Sequence, residues 1–544
     1  MSLGTWEGVW TGLEEGDTTC SGARVVGGSA AVVGPGVGAG KIGDQGGGPA
    51  NGWLSPPAEE RLALPTPSAP VLPPAPLLPN GDGIVFYSDD DDEAASSSSK
   101  PHSCLQYLPQ HHSWPWLPGL VSSSSSSSSP KPDIGVGGGS ISSAGCMEQL
   151  LVHCATAIEA NDATLAQQII WVLNNIAPSD GDSDQRLASA FLRALIVRAS
   201  KTGSCENMLV AAAAGGTNLA LYLHRFSAVD LASFIDLTPW HRFGFAAANT
   251  AIAEAVEGLP AVHLVDLGTT HCMQMPTLID LLAKRPEGPP LLRLTVPALT
   301  ATAAPPLLDM SYDELGARLV NFARSRNIQM EFLAVPSDPT EAFATLMEQV
   351  RVRRLVTQGE AVIVNCHMML HCIPEETAAA VLSSPSPTLS PRSTFLKTLR
   401  GLEPTLVTVV DEDADLTPCD LMRRLRAAFN YLWIPYDAVE TCVGKGSEQR
   451  RWYEGGVCWK IENVIAQEGT QRVERQETKG RWAGRMRAAG FRSVGLTEEA
   501  AAEVRGMLDE HAAGWGMKRD DDHDLTLTWK GHNVVFATAW IPAP

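Results

Sequence analysis

Between Ala261 and Asp411 the chain repeats one pattern five times. Short, nearly continuous apolar runs at 261–267, 291–297, 329–335, 360–366 and 405–411 are separated by stretches with helical spacing. A run that is apolar at every position, and not at every second one, has both of its faces buried. Strands of that kind alternating with helices make a parallel sheet covered on both sides. Between them, Ser311-Tyr312-Asp313-Glu314 matches a helix-starting capping box. The end of the chain differs. "DLTLTWKGHNVVFATAW" reads as two strands joined across Lys530-Gly531-His532, an antiparallel hairpin.

Upstream, residues 147–258 read as purely helical. One stripe holds Met147, Leu150, Leu151, Cys154 and Ile158, and a second holds Leu165, Ile169, Leu173 and Ile176 up to Pro178. A third holds Leu187, Phe191, Ala194 and Leu195. Thr238 is placed to cap a further helix, with Pro239 at its first position and Gly258 past its end. The fold class expected is therefore α/β: a Rossmann-like, methyltransferase-type sheet, mostly parallel, with a C-terminal antiparallel hairpin and an N-terminal helical cap.

Residues 1–143 read differently again. They contain a proline-rich run, four consecutive aspartates at 89–92 and eight consecutive serines at 122–129. The 48 glycines and 38 prolines of the chain are too many for a uniformly folded protein, although 44% hydrophobic residues support a sizeable core elsewhere. A disordered tail is expected, because this composition buries too little apolar surface to offset the entropy of ordering. Short aromatic segments within it, "GIVFYSDDDDE" and "HHSWPWLPGL", are candidates for partner binding.

The net charge of −20, from 61 acids and 41 bases, argues against binding held mainly by nucleic-acid phosphates. Eleven cysteines without a Cys-x-x-Cys pair suggest reduced thiols inside a cell. The N-terminus carries acids where a signal peptide needs positive charge, and no run of 18 apolar residues suggests a membrane span.

"VHLVDLGTTHCMQ", Val262–Gln274, looks at first like a cofactor loop: strand, acid, glycine. Two features speak against that. Gly268 is followed by Thr269, Thr270, His271 and Cys272, so the second glycine that lets a ligand approach the backbone is missing. The next strand, from Leu291 to Pro305, ends without the acid that would hold a ribose. Thr270 and this acid-free strand are expected to close the site. Asp266 is then structural, accepting bonds from backbone N–H groups of the following loop, and Asp266→Asn should cost about 1–3 kcal/mol.

Other chemistry reads more weakly. His367 and His371 in "NCHMMLHC" have a zinc-like spacing but sit among core residues, so no metal is expected. The acids Asp411, Glu412, Asp413 and Asp415 read as a solvated loop. Arg423, Arg424 and Arg426 share one helix, and Arg481, Arg485 and Arg492 are the candidate nucleic-acid contacts, although Glu474 and Glu477 interleave with that region.

Val262-His263-Leu264-Val265-Asp266 resembles the VHIID signature of the GRAS family, plant transcriptional regulators, with Val262, His263 and Asp266 identical to it. On this resemblance the folded region spans 144–542: leucine repeat I at 144–203, the VHIID region at 222–290 and leucine repeat II at 306–345. The PFYRE region follows at 354–464, with Pro404 and Tyr431, and the SAW region at 467–542, with Trp482, Gly490 and the terminal Trp540. "DLTPWHRFGFAAANTAI" and "DLGTTHCMQMPTLID" look most like the Scarecrow-like branch near Short-root. Leu267-Gly268 and Cys272-Met273-Gln274-Met275 depart from the family's pattern there.

The resemblance implies a nuclear protein, also cytoplasmic in part, without catalysis, cofactor or metal. It implies zinc-finger transcription factors and other GRAS proteins as partners, in homo- or heterodimers, with DNA contacted indirectly. The alternative is a direct, sequence-specific DNA reader, and an S-adenosylmethionine-dependent methyltransferase is the remote third reading. Because the tail supplies no core, deleting residues 1–140 should leave the thermal unfolding of the remainder unchanged. A melting temperature lowered by more than a few degrees would show that the tail is part of the fold.

Overall fold

Each of the five apolar runs forms a strand within one residue of its expected bounds. The structure is a computed structural model that describes residues 143–201, 224–299, 304–357, 359–375, 390–520 and 523–544. The tail expected at 1–143 therefore lies, apart from its last residue, outside the described residues. All described residues belong to a single unit.

Three helices come first: α1 (Ser143–Glu159), α2 (Ala163–Ile176) and α3 (Ser183–Ala199). Asp182 caps α3 through a reciprocal capping box with Gln185. Then follow β1 (Arg225–Phe226), α4 (Ala228–Asp236) and α5 (Pro239–Ala255), which Thr238 and Pro239 start as the sequence indicates. The short β1 pairs with β4 (Leu307–Leu308), so the block 147–258 is not purely helical. The α/β body runs β2 (Ala261–Gly268), α6 (Met275–Ala283), β3 (Leu291–Ala298), α7 (Tyr312–Ser325) and β5 (Met330–Pro336). It continues with α8 (Ala344–Val356), β6 (Ala361–His367), α9 (Pro391–Gly401) and β7 (Leu406–Glu412). Ser311 caps α7 by accepting a bond from the Glu314 N–H.

These five strands lie parallel in the order β5-β3-β2-β6-β7. The chain winds outward from β2 one way, then returns to β6 and winds the other way. The crevice at the carboxyl ends of β2 and β6 is thus a topological switch point. The expected hairpin is β10 (Leu525–Trp529) with β11 (His532–Pro542), turning through Lys530 and Gly531, both at positive φ. β11 inserts antiparallel between β7 and β10, and two strands that the sequence reading lacked extend the sheet: β8 (Phe491–Val494) on β11 and β9 (Trp515–Arg519) on β10. The nine-stranded sheet is mixed, with a parallel half and an antiparallel half.

The cap also exceeds its expected form. Helices α10 (Leu421–Cys442) and α11 (Glu448–Ala466), far along the chain, pack onto α1 and α3. Phe191 meets Phe429 edge to face at 5.4 Å, and Arg186 of α3 bridges Glu440 and Glu454. The remaining helices are α12 (Lys479–Ala488) and α13 (Glu498–Leu508). Among the described residues, no helix is long and apolar enough to cross a membrane. Cys154, Cys272, Cys366, Cys372, Cys419, Cys442 and Cys458 are free thiols, whereas Cys146 is disulfide-bonded, a departure from the expectation of reduced cysteines.

Helix α5 lies against the carboxyl ends of β6 and β7, and Gly244 sets how close it comes. A Cβ there would sit 2.5 Å from Val410 Cγ1 and 2.6 Å from His367 Cε1. In an open helix Gly→Ala would stabilise by about 1 kcal/mol. Here overpacking outweighs that gain, and Gly244→Ala should lower the unfolding free energy by about 1–3 kcal/mol. Denaturant titration reads the sign; a stabilised variant would mean that the helix can lift away freely.

Candidate functional site at the carboxyl edge of the sheet

Strand register places three polar side chains in one row across the sheet. Asp266 stands opposite Asn365, and Asn365 opposite Thr408. The row is hydrogen-bonded throughout. The Thr408 hydroxyl donates to Asn365 Oδ1 at 2.7 Å, and Asn365 Nδ2 donates to Asp266 Oδ1 at 2.7 Å and to Gln274 Oε1 at 2.9 Å. Gln274 passes the chain on to Asn249, and Asn249 to Thr277, each at 2.8 Å. Every member is oriented by the next, which is how a buried polar network escapes the cost of an unmade bond.

Asp266 is therefore structural, but by another route than the sequence indicated. Its partners are the Asn365 amide and the Cys272 thiol, whereas loop N–H groups bond elsewhere: Thr269 to His367 O and Met273 to Thr270 O. Burial lifts the carboxyl to about 6, against the lowering pull of these two hydrogen bonds. The loop itself is strained where glycines are missing, since His271 and Cys272 both take positive φ. His271 is held there by the Pro306 carbonyl at 3.0 Å.

The rest of the motif is core. Val262 and Leu264 face one side of the sheet, and Val265 the other. His263 shares a hydrogen bond with the Thr295 hydroxyl at 2.9 Å, and burial, then the Arg293 charge, holds its imidazole down near 4. Thr270 is buried but does not fill the space above Asp266. A cavity of about 520 Å³ remains there, lined by Asp266, Gly268, Thr269, Cys272, Tyr312 and Trp459 among others. The expectation that the site is closed is thus corrected: the glycine-poor loop narrows the crevice without sealing it.

A second, charged cluster adjoins it. Lys460 of α11 meets Glu412 of β7 at 2.7 Å and Glu474 at 3.3 Å. His371 meets Asp411 at 2.7 Å and Glu474 at 3.4 Å, and the Trp240 indole donates to Glu412 at 3.1 Å. Burial opposes the charged forms of Lys460 and His371, yet the facing carboxylates outweigh it and raise both. Glu474 is lowered for the same reason: Lys460 and His371 overcome its desolvation. Asp411 and Glu412, expected in a solvated loop, are instead buried strand residues. The segment 472–477, expected as an ordinary surface, is buried at Arg472, Glu474, Arg475, Gln476 and Glu477.

His367 and His371 diverge. His367 pairs with His241 at 3.2 Å and His371 with Asp411, and no group of three or more potential ligands is arranged for a metal among the described residues. Lys460 and Trp240 were not singled out by sequence reasoning, and Glu474 and Gln274 were named there without these roles. Asn365, a lone amide inside "AVIVNCH", was the one legible signal. Another missed residue is Arg392, fully buried, which donates to the carbonyls of Ile373, His371 and Arg475 and lies 5.3 Å from the Trp482 ring.

The remaining motif residues are spread through the fold. Buried Tyr431 donates to the Val534 carbonyl at 2.8 Å; Trp540 donates to the Thr538 hydroxyl at 2.9 Å. Gly490, at φ +88°, turns α12 into β8 with its carbonyl bound by Arg400, and Pro404 is buried ahead of β7. Arg481 and Arg485 lie on α12, and Arg492 is exposed on β8. Arg485 is paired with Glu477 and Glu375, and Arg481 with Glu477, Asp415 and Glu375. Arg424 is buried against the Val464 carbonyl and Glu468.

The raised Asp266 carboxyl makes a prediction with a definite sign. The folded state keeps a proton that the unfolded chain releases near pH 4, so this group's contribution to stability falls as pH rises from about 4 to about 6, by about 3 kcal/mol in all. Asp266→Asn keeps the acceptor for Asn365 and turns its amide toward Cys272, a weak acceptor, without a buried charge. At pH 7 it should match or exceed the native stability, reversing the sequence-based expectation, and its stability should fall less between pH 4 and 6. Denaturant unfolding at several pH values checks this; a loss above about 1 kcal/mol at pH 7 with an unchanged slope would contradict it.

Comparison with known proteins agrees with this architecture. The chain is 57% identical over 402 residues to Scarecrow-like protein 32 of Arabidopsis thaliana, covering 73% of this chain and 94% of that one. It is 31% identical over 413 residues to Protein SHORT-ROOT of Arabidopsis thaliana, covering 73% of each. The crystal structure of SCL7 in Oryza sativa superposes with a TM-score of 0.57 at 24% identity, covering 72% of this chain and 99% of that chain, and so shares the fold. The model of the GRAS domain family matches residues 147–541, nearly all of the folded region, and the chain belongs to that family.

Proposed function

We propose that this GRAS protein works in the nucleus as a co-regulator, a scaffold that binds transcription factors already seated on DNA. The family comprises transcriptional regulators of plant development, and its Scarecrow-like and Short-root members are named as regulatory proteins. The single observation that favours a scaffold over a direct DNA reader is the state of the arginines. Phosphate binding needs cations free to replace counterions along one face. Of the three candidates in the sequence, Arg481 and Arg485 are tied to Glu375, Glu477 and Asp415, which leaves the exposed Arg492 and no continuous basic face on α12, and Arg424 is buried. The net charge of −20 adds long-range repulsion.

The sheet order supports a methyltransferase-type scaffold whose carboxyl-edge groups serve the fold. Asp266 is bonded to Asn365, and Lys460 of the cap helix α11 to Glu412 and Glu474. The partners in this reading are zinc-finger transcription factors and other GRAS proteins. The purified protein should bind duplex DNA only weakly at physiological salt, and a zinc-finger partner should raise the apparent affinity at least tenfold. Fluorescence anisotropy on labelled duplexes tests this; nanomolar, sequence-selective binding by the protein alone would establish direct readout instead.

A further inference from the structure

On the face of the molecule where α5 shows its outer side, α6 and α13 rise on either flank and leave a groove of about 640 Å³. Its floor is apolar and low. Ala246, Thr250 and Ala253 lie on one stripe of α5, with Phe245, Leu281 and Met507 beside them. Residues at that spacing share a helix face, and small ones allow a second helix to approach closely. The rim is acidic: Glu254, Glu257, Glu287, Glu499, Glu503 and Glu510, against Arg242, Lys284 and Arg285. Six acids and three bases leave a net charge of −3.

Two of the three cations are already committed: Arg242 is paired with Glu510 and Asp236, and Arg285 with Glu287. The acids outside these pairs, Glu254, Glu257, Glu499 and Glu503, outnumber the remaining Lys284. Glu499 and Glu503 are exposed, one turn apart on α13, and among the described residues neither enters an ion pair that the fold needs. From Glu499 to Met507, one face of α13 looks into the groove over about 12 Å at the helical rise, a little over two turns, and Glu510 continues the rim just past the helix end.

We propose that this groove is a docking site for a basic amphipathic helix of about three turns, presented by a partner protein. Apolar residues on one of its faces would cover the Ala246–Thr250–Ala253 floor, and Lys or Arg along its edge would pair with Glu499 and Glu503. Charge complementarity selects this occupant: nucleic acid and acidic segments are repelled by the same rim. A basic helix is what a DNA-bound partner can offer while its other face holds phosphate. The inference rests on the co-regulator reading and adds where on the chain the partner sits.

The test uses the full chain and a fluorescein-labelled 18-residue peptide, helical by design, with leucines on one face and lysines flanking them. Micromolar binding is expected, weakening with salt. Glu499→Lys/Glu503→Lys should reduce the affinity at least tenfold, and Thr250→Trp, which fills the floor and leaves the charge alone, should do the same. Glu341→Lys/Glu348→Lys, an equal charge change on the exposed surface elsewhere, should not. Thermal melts establish that each variant is folded, and Thr250→Trp keeps the test readable if the double reversal unfolds. Equal binding by all variants, or no binding by the native chain, overturns the groove assignment. The two readings separate in the duplex assay: if a zinc-finger partner enhances DNA binding equally with native and Glu499→Lys/Glu503→Lys protein, the groove fails and the co-regulator reading stands. If no partner enhances it, that reading fails, whatever the peptide does.

Discussion

A half-buried lysine joins the two halves of this protein. Lys460 projects from the cap helix α11 and ends between Glu412, on the sheet, and Glu474, on the segment that closes the carboxyl edge. A charge removed from water is tolerable only with close, well-formed partners, and removing one partner from such a set is far costlier than replacing the whole set. Here the set is shared. Glu412 also receives the Trp240 indole from α5, and Glu474 also faces His371, which leans on Asp411. Cap, sheet and closing segment are thereby held in one register, and the carboxyl edge cannot open without exposing several unpaired charges together.

The same edge is where the fold gathers polar side chains in its interior. A crevice at a switch point collects polar groups because strand ends leave side chains without sheet neighbours. In this chain the central groups of that edge are bonded to one another. The row Asp266–Asn365–Thr408 runs across three parallel strands, and Gln274 carries it into α5 through Asn249. What remains above Asp266 is a cavity with a mostly apolar lining, bounded by a loop that holds two non-glycine residues at positive φ.

Charge on the outer surface follows a different logic. Arg481 and Arg485 of α12 are committed to Glu375, Glu477 and Asp415, which fastens that helix to neighbouring loops. Glu499 and Glu503 of α13 are left facing solvent beside an apolar floor. One set of charges holds the fold together, whereas the other is available to a partner. Only the coordinates distinguish the two, because in the sequence both are charges at helical spacing.

How much was legible follows from how local each determinant is. The five parallel strands, the Thr238–Pro239 helix start and the Lys530–Gly531 turn were readable because continuous apolar runs, caps and turn residues act over a few neighbours. The VHIID-like stretch, with the motifs after it, sufficed to indicate the family. The sequence could not show that Asp266 is bound by Asn365, 99 positions away, or that Lys460 reaches Glu412 across 48. Nor could it show that "RVERQE", five of whose six residues are polar, lies mostly buried, or that α10 and α11 complete a cap begun at Ser143. Whether a charged side chain faces water or the interior depends on whether a partner arrives from elsewhere in the chain. That arrival is decided by tertiary packing, because a buried charge is stable only where the fold delivers its counter-charge.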